Sequence, residues 1–230
     1  MRNGSLIDYL AHESSCNRMK LCIELAEIVE YLHGKGIVHG DIKADNVLVS
    51  DSRDARLADF GSATLDEYRT LLFTSTLTEL PCSIRFAAPE ILDESSQKHT
   101  AQSDIYALGM TILQILTGKP PYAEMSNRRV LANVFRGVFP PKPELDGIIR
   151  RQYAKDELWN LLLRCWKHDP NLRPTATVIK RTVSICFPQI RNPTQYMFLA
   201  SSLKSSGWKV AIEARFIVGY VYHKFISMHM

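Results

Sequence analysis

The sequence predicts a mainly α-helical lobe: a bundle of helices with one small β-hairpin whose flanking loops carry the reactive groups. Three observations predict it. Leu21, Leu25, Ile28, Val29 and Leu32 form a stripe with helical spacing. Residues 104–117 are apolar on nearly every face, the pattern of a helix buried on all sides. Two short β-rich runs, 47–49 and 56–58, flank the polar turn SDSRDA and read as a hairpin.

The first helix, over 21–32, ends at Gly34 and Gly36, and Ile37-Val38 follows as a short strand ahead of the hairpin. A hydroxyl-rich stretch over 61–81 has few structural signals and reads as a mobile loop, and loops of that length in compact domains are often functional. In the helix over 104–117, Asp104 can cap the start and Gly118 can close the end, and Pro120-Pro121 forbid continuation. Two more helices fit 156–166 and 174–187, with Pro174 suited to a first turn. From residue 191 to 230 the periodicity dissolves, leaving a tail of undetermined structure.

With 46% hydrophobic and 23% charged residues, the 230-residue chain can bury a real core and is not disordered as a whole. The net charge of +4 suits an anionic ligand such as a nucleotide, and no basic block argues for nucleic acid as a partner. Cys16, Cys22, Cys82, Cys165 and Cys186 are odd in number and form no CxxC pair, which argues against a disulfide framework or zinc site and for a reducing compartment. MRNGSLIDYL has no signal-peptide pattern, and the apolar run over 216–222 is too short to span a bilayer. The expected location is therefore cytoplasmic or nuclear.

The densest chemical signal is His39-Gly40-Asp41-Ile42-Lys43-Ala44-Asp45-Asn46, followed by Asp59-Phe60-Gly61. Phosphoryl transfer from a nucleotide needs a carboxylate to orient the attacking hydroxyl, a cation for the transferred group and oxygen ligands for magnesium. Asp41 offers the carboxylate and Lys43 the cation. Asn46 and Asp59 offer hard oxygens of the kind Mg²⁺ prefers. A hairpin between Asn46 and Asp59 would fold the chain back and bring those two side chains together.

These motifs, with Ala88-Pro89-Glu90, resemble the protein-kinase set H-R-D-x-x-x-x-N, D-F-G and A-P-E. The resemblance covers residues 1–187, and the kinase domain is assigned to 1–189. It implies the fold of the kinase C-terminal lobe from the hinge onward, with ATP and Mg²⁺ as nucleotide and cofactor. Asp41 is then the base or hydroxyl-orienting acid, Lys43 stabilises the γ-phosphate, and Asn46 and Asp59 hold the metals. Ser5, in the post-hinge segment Asn3-Gly4-Ser5-Leu6, joins Lys43, Asn46 and Asp59 in binding the nucleotide. His39, Phe60 and Gly61 brace the loops, Glu90 and Arg173 form a buried ion pair, and Asp104 accepts N–H groups of the catalytic loop. Lys43, two places after Asp41, resembles serine/threonine kinases, so the expected substrates are protein serine and threonine hydroxyls. Cys165-Trp166 matches a helix seen in tyrosine-kinase-like members of that class.

Several positions depart from the pattern. Gly40 replaces the arginine that in the family binds an activation-loop phosphate, which implies activity independent of such phosphorylation. Thr70, Thr74, Ser75, Thr76 and Thr78 read mostly as polar filler in the loop. Ser83 stands where the family has a threonine that contacts the catalytic aspartate, and Cys82 replaces a glycine. Aminoglycoside and choline phosphotransferases share H-G-D-x-x-x-x-N, but they lack the D-F-G to A-P-E segment and a Lys43 equivalent. No Gly-rich loop and V-A-I-K lysine precede the hinge. Gly34-Lys35-Gly36 has the wrong spacing, and Val210-Ala211-Ile212-Glu213 carries glutamate where the lysine belongs. The expectation is a C-terminal lobe without its N-terminal lobe, with Met1 internal to a longer product or upstream exons lost. Such a chain would have little activity alone, and the surface left by the missing lobe would attract protein partners. A non-catalytic interaction module is the alternative; the presence of all four of Asp41, Lys43, Asn46 and Asp59 favours the enzyme.

Overall fold

The computed structural model describes residues 3–13, 16–65, 84–93, 96 and 98–186. Residues 1–187 make one compact unit, to which all of these belong. The tail over 191–230, Ser83, Cys82 and the hydroxyls from Thr70 to Thr78 lie outside the described residues. Seven helices and four short strands are described: α1 Leu6–His12, α2 Arg18–Gly34, β1 Ile37–Val38, β2 Val47–Val49, β3 Ala55–Leu57, β4 Thr64–Leu65, α3 Pro89–Leu92, α4 Ala101–Thr117, α5 Asn127–Phe135, α6 Gln152–Cys165 and α7 Ala176–Cys186. This mainly helical lobe with small antiparallel sheets is the predicted class.

The core is organised around α4, which is buried from Ser103 to Leu116. Packed against it are α2 and α6, and α7 closes the bundle over both. Ile105, Leu108, Ile112 and Leu116 are at most 2% exposed, and each such side chain contributes about 1.5–3 kcal/mol through removal from water. The start of α4 corrects the expectation. Its cap is Thr100, in a reciprocal box with Ser103, and Asp104 lies inside the first turn. Its end is as predicted, with Gly118 closing it at a left-handed φ of 73°.

The hairpin forms one residue earlier in its second strand than the pattern indicated, pairing Val47 with Leu57 and Val49 with Ala55. It is fastened to α2 by Lys20, which pairs with Asp54 at 2.5 Å, and by Glu24, which accepts from the Ala55 N–H at 2.8 Å. Where the loop was expected to begin, Phe60–Ser62 makes a 3₁₀ turn, and β4 pairs antiparallel with β1. Helices α6 and α7 begin at Gln152 and Ala176 rather than at 156 and 174. Helix α5 was not anticipated. No described helix is long and apolar enough to cross a membrane.

Candidate active site

The site is built outward from Asp104. This carboxylate, 1% exposed in the first turn of α4, accepts the His39 N–H at 2.8 Å and the Gly40 N–H at 2.9 Å, one on each oxygen. Buried backbone donors need such partners, and a helix N-terminus favours the negative charge that supplies them. His33, in the last turn of α2, adds its Nε2 to the same carboxylate at 3.0 Å. The loop that begins at His39 thus hangs from the start of the central helix.

His39 is fully buried. Its Nδ1 accepts the Asp41 N–H at 3.3 Å, which places the ring proton on Nε2, where it donates to the Ala58 carbonyl at 3.1 Å. Its ring meets Phe60 edge-on, with 4.8 Å between centroids. Burial holds the imidazole below its usual pKa against the pull of Asp104. It is a neutral brace between the two loops.

The Asp41 side chain is 26% exposed and therefore open to solvent on one side. Its Oδ2 receives Lys43 Nζ at 2.8 Å and Asn46 Nδ2 at 2.8 Å, and the same Asn46 amide nitrogen also donates to the Asp41 carbonyl at 2.8 Å. Asn46 closes a 3₁₀ turn over Ala44–Asn46 and is 8% exposed. With its nitrogen committed to Asp41, its amide oxygen faces away from that carboxylate. Across the hairpin, the Ala58 N–H donates to the Asn46 carbonyl at 2.8 Å, which continues the register with Ala58 opposite Asn46 and Asp59 one residue further along.

Asp59 has a left-handed φ of 59° and accepts the Gly61 N–H at 3.3 Å. Aspartate tolerates that region better than most residues, and such conformations cluster at functional sites. A Cβ on Gly61 would come within 3.1 Å of Asp59 Oδ1, so glycine leaves the carboxylate its place. The Asn46 oxygen and the Asp59 carboxylate fit magnesium, which takes one or two protein oxygens and fills its shell with phosphate and water. Among the described residues no group of three or more His, Cys, Asp or Glu could hold a metal.

Glu90 and Arg173 meet in a two-pronged pair at 2.6 and 2.7 Å. Ser5, expected at the nucleotide, is the N-cap of α1, exchanging hydrogen bonds with Asp8. Gly40 lies at φ 79°, and a Cβ there would come within 2.8 Å of the Ser62 carbonyl and 3.1 Å of the His99 ring. In this conformation there is no room for an arginine at position 40.

Sequence reasoning missed His33, His99 and Arg85. Their partners are distant in sequence or are backbone atoms, so no local pattern marks them. Arg85 donates to the Pro121, Tyr122 and Met125 carbonyls, each at 2.7 Å, and fastens the chain ahead of Ala88-Pro89-Glu90 to the segment that follows α4.

A family model, the protein kinase domain, matches residues 1–183. The tyrosine-protein kinase SRK3 of Spongilla lacustris is 32% identical over 186 residues, covering 78% of this chain and 52% of that protein. The tyrosine-protein kinase SPK-1 of Girardia tigrina is 30% identical over 198 residues, covering 80% and 37%. The tyrosine-protein kinase Btk of Drosophila melanogaster is 32% identical over 188 residues, covering 78% and 22%. The chain spans about half or less of the length of these relatives. All three are tyrosine kinases by name, so they lend no support to the serine/threonine type expected from Lys43.

Proposed function

The chain belongs to the protein kinase domain family, and from that premise we propose that it carries the phosphoryl-transfer half of an ATP- and magnesium-dependent protein kinase. The observation that supports this most directly is the Asp41 carboxylate, held by Lys43 and Asn46 at 2.8 Å each. In this reading Asp41 orients the acceptor hydroxyl and takes its proton as the new bond to phosphorus forms. Lys43 pairs with Asp41 before transfer and offers its ammonium to the γ-phosphoryl oxygens, where negative charge is concentrated. Asn46 serves both sides, its nitrogen fixing Asp41 and its oxygen available to the cation. Asp59 supplies the carboxylate to the same cation. Magnesium would neutralise the phosphate oxygens and align the nucleotide.

The acceptor class rests on Lys43, which resembles serine/threonine kinases. A second reading, tyrosine as acceptor, is favoured by the names of the relatives. Hydrolysing the labelled product and separating the three phosphoamino acids decides between them. Gly40 leaves the loop without an arginine to read an activation-loop phosphate, which favours activity independent of that modification.

These 230 residues contain no Gly-rich loop followed by a V-A-I-K lysine. ATP phosphates bound here would be open to water, where charge stabilisation is weak. Turnover by this chain alone is therefore expected to be slow. The decisive experiment is phosphotransfer from Mg-ATP to a mixed protein acceptor, comparing the chain with Asp41→Asn. Loss of the residual transfer in the variant supports the reading. Transfer that survives the substitution overturns it, and binding of Mg-nucleotide without any transfer supports a non-catalytic module.

A further inference from the structure

Gly40 is confined on two sides. A Cβ built on it would meet the Ser62 carbonyl oxygen at 2.8 Å, and the Cγ and Cδ2 atoms of His99 at 3.1 and 3.2 Å. The imidazole of His99 thus occupies the space that a side chain at position 40 would take. Its own backbone is fixed, because the next residue, Thr100, is the N-cap of α4 and receives support from Ser103. Four residues further on, Asp104 accepts the N–H groups of His39 and Gly40. One helix start therefore confines the catalytic loop from two directions: its carboxylate takes the N–H groups, and the ring just ahead of it fills the space beside the Gly40 α-carbon. Asp41 follows Gly40 directly, so any rotation of the Gly40 peptide redirects the Asp41 backbone.

We propose that His99 is a positioning residue of the phosphoryl-transfer site, its ring packing against Gly40 so that Asp41 keeps the direction in which it meets the acceptor hydroxyl. The proposal rests on the reading of Asp41 given above. Its physical content is that the loop is over-determined by Asp104, His99 and the Ser62 carbonyl together. Removing the ring opens space on one side of a glycine, the residue with the widest conformational freedom, and the loop gains alternatives to the transfer-competent orientation. A misplacement of about 1 Å at a catalytic group can cost about 10²-fold in rate.

The test compares His99→Ala and His99→Phe with the unsubstituted chain, using amide hydrogen exchange resolved by residue. The alanine variant is expected to exchange the Gly40 and Asp41 amides at least about tenfold faster, as a local opening does, while α6 and α7 amides keep their rates. The phenylalanine variant retains a ring without a titratable nitrogen and is expected to keep wild-type protection. Unchanged exchange at Gly40 and Asp41 in the alanine variant overturns the proposal. So does equal acceleration throughout the helices, which marks a merely global loss of stability; should the alanine variant not fold, His99→Asn replaces it under the same criteria. Where Asp41-dependent transfer is measurable, His99→Ala should lower kcat about 10–100-fold with an unchanged KM for Mg-ATP, and a change confined to KM contradicts the positioning role. If Asp41→Asn leaves transfer intact, the functional reading fails, and the exchange measurement still decides whether His99 holds the loop.

Discussion

Arg173 holds Glu90 through two parallel hydrogen bonds, 2.6 and 2.7 Å long, between residues 83 positions apart. The guanidinium is buried; it also donates to the Lys167 carbonyl at 2.9 Å and the Gln102 carbonyl at 3.0 Å, and lies over the Tyr106 ring. Desolvating both charges offsets much of their attraction, so the pair's consequence is sharpest when one partner is lost. Glu90→Ala leaves a buried guanidinium facing only carbonyls and a ring, and should lower unfolding free energy by about 3–5 kcal/mol. Urea denaturation checks it; a loss under about 1 kcal/mol, the size of an exposed pair, would count against a structural role for the bridge.

Gly40→Ala tests the crowding in the loop that carries Asp41. Alanine at φ 79° is strained, and its Cβ would come within 2.8 Å of the Ser62 carbonyl, a backbone atom that cannot swing aside as a side-chain tip can. The expected cost is about 1–3 kcal/mol. Gly147→Ala is the control, since nothing lies within 4 Å of a Cβ built there and its φ is not in the left-handed range. Equal midpoints for the two variants would refute the argument from crowding.

What the sequence disclosed follows from how local each signal is. The α2 stripe and the all-round apolar α4 carry their burial pattern within one element, and the short spacing of the loop motif keeps Asp41, Lys43 and Asn46 within reach of one another. The cap of α4 was misassigned because Thr100 and Asp104 are both competent caps. What decides between them is the pair of amides, of Gly40 and His39, 64 and 65 residues upstream, that claims the Asp104 carboxylate. Helix α5 buries only Val130 and Val134, too few positions to show a period. The two-residue pairing of β1 with β4 leaves no alternation to read. His99 was silent for a similar reason: its ring fills the space a side chain would take at Gly40, and no residue type advertises that arrangement.

Asn46→Ala separates the two duties proposed for that side chain. It removes the amide that donates to Asp41 at Oδ2 and at the carbonyl, and it removes the oxygen assigned to the cation. The expected result is loss of magnesium dependence in the nucleotide-induced thermal shift, together with at least about a 10²-fold fall in any Asp41-dependent transfer. Asn46→Asp keeps the oxygen, so it should restore the magnesium dependence but not the donor to Asp41. A thermal shift that depends equally on magnesium in the alanine variant removes Asn46 from the metal site.

Acid should loosen the loop through its histidines. Burial is the first cause that holds both His39 and His99 below the usual imidazole pKa, with the Asp104 and Asp41 carboxylates pulling the other way in each case. In the unfolded chain these rings take up protons as pH falls through about 6.5, while in the folded chain they resist until lower pH. The unfolded state then binds more protons, so this contribution is fully present above pH 6.5 and is lost as pH falls toward the folded values, at up to about 1.4 kcal/mol per unit for each ring. Glu24 and Glu27, raised by burial, act with the opposite sign nearer the carboxylate range. Urea melts at pH 7.5, 6.5 and 5.5 should therefore show a decline below 6.5 that is smaller in His99→Phe than in the unsubstituted chain. Parallel curves for the two proteins would remove His99 from the account.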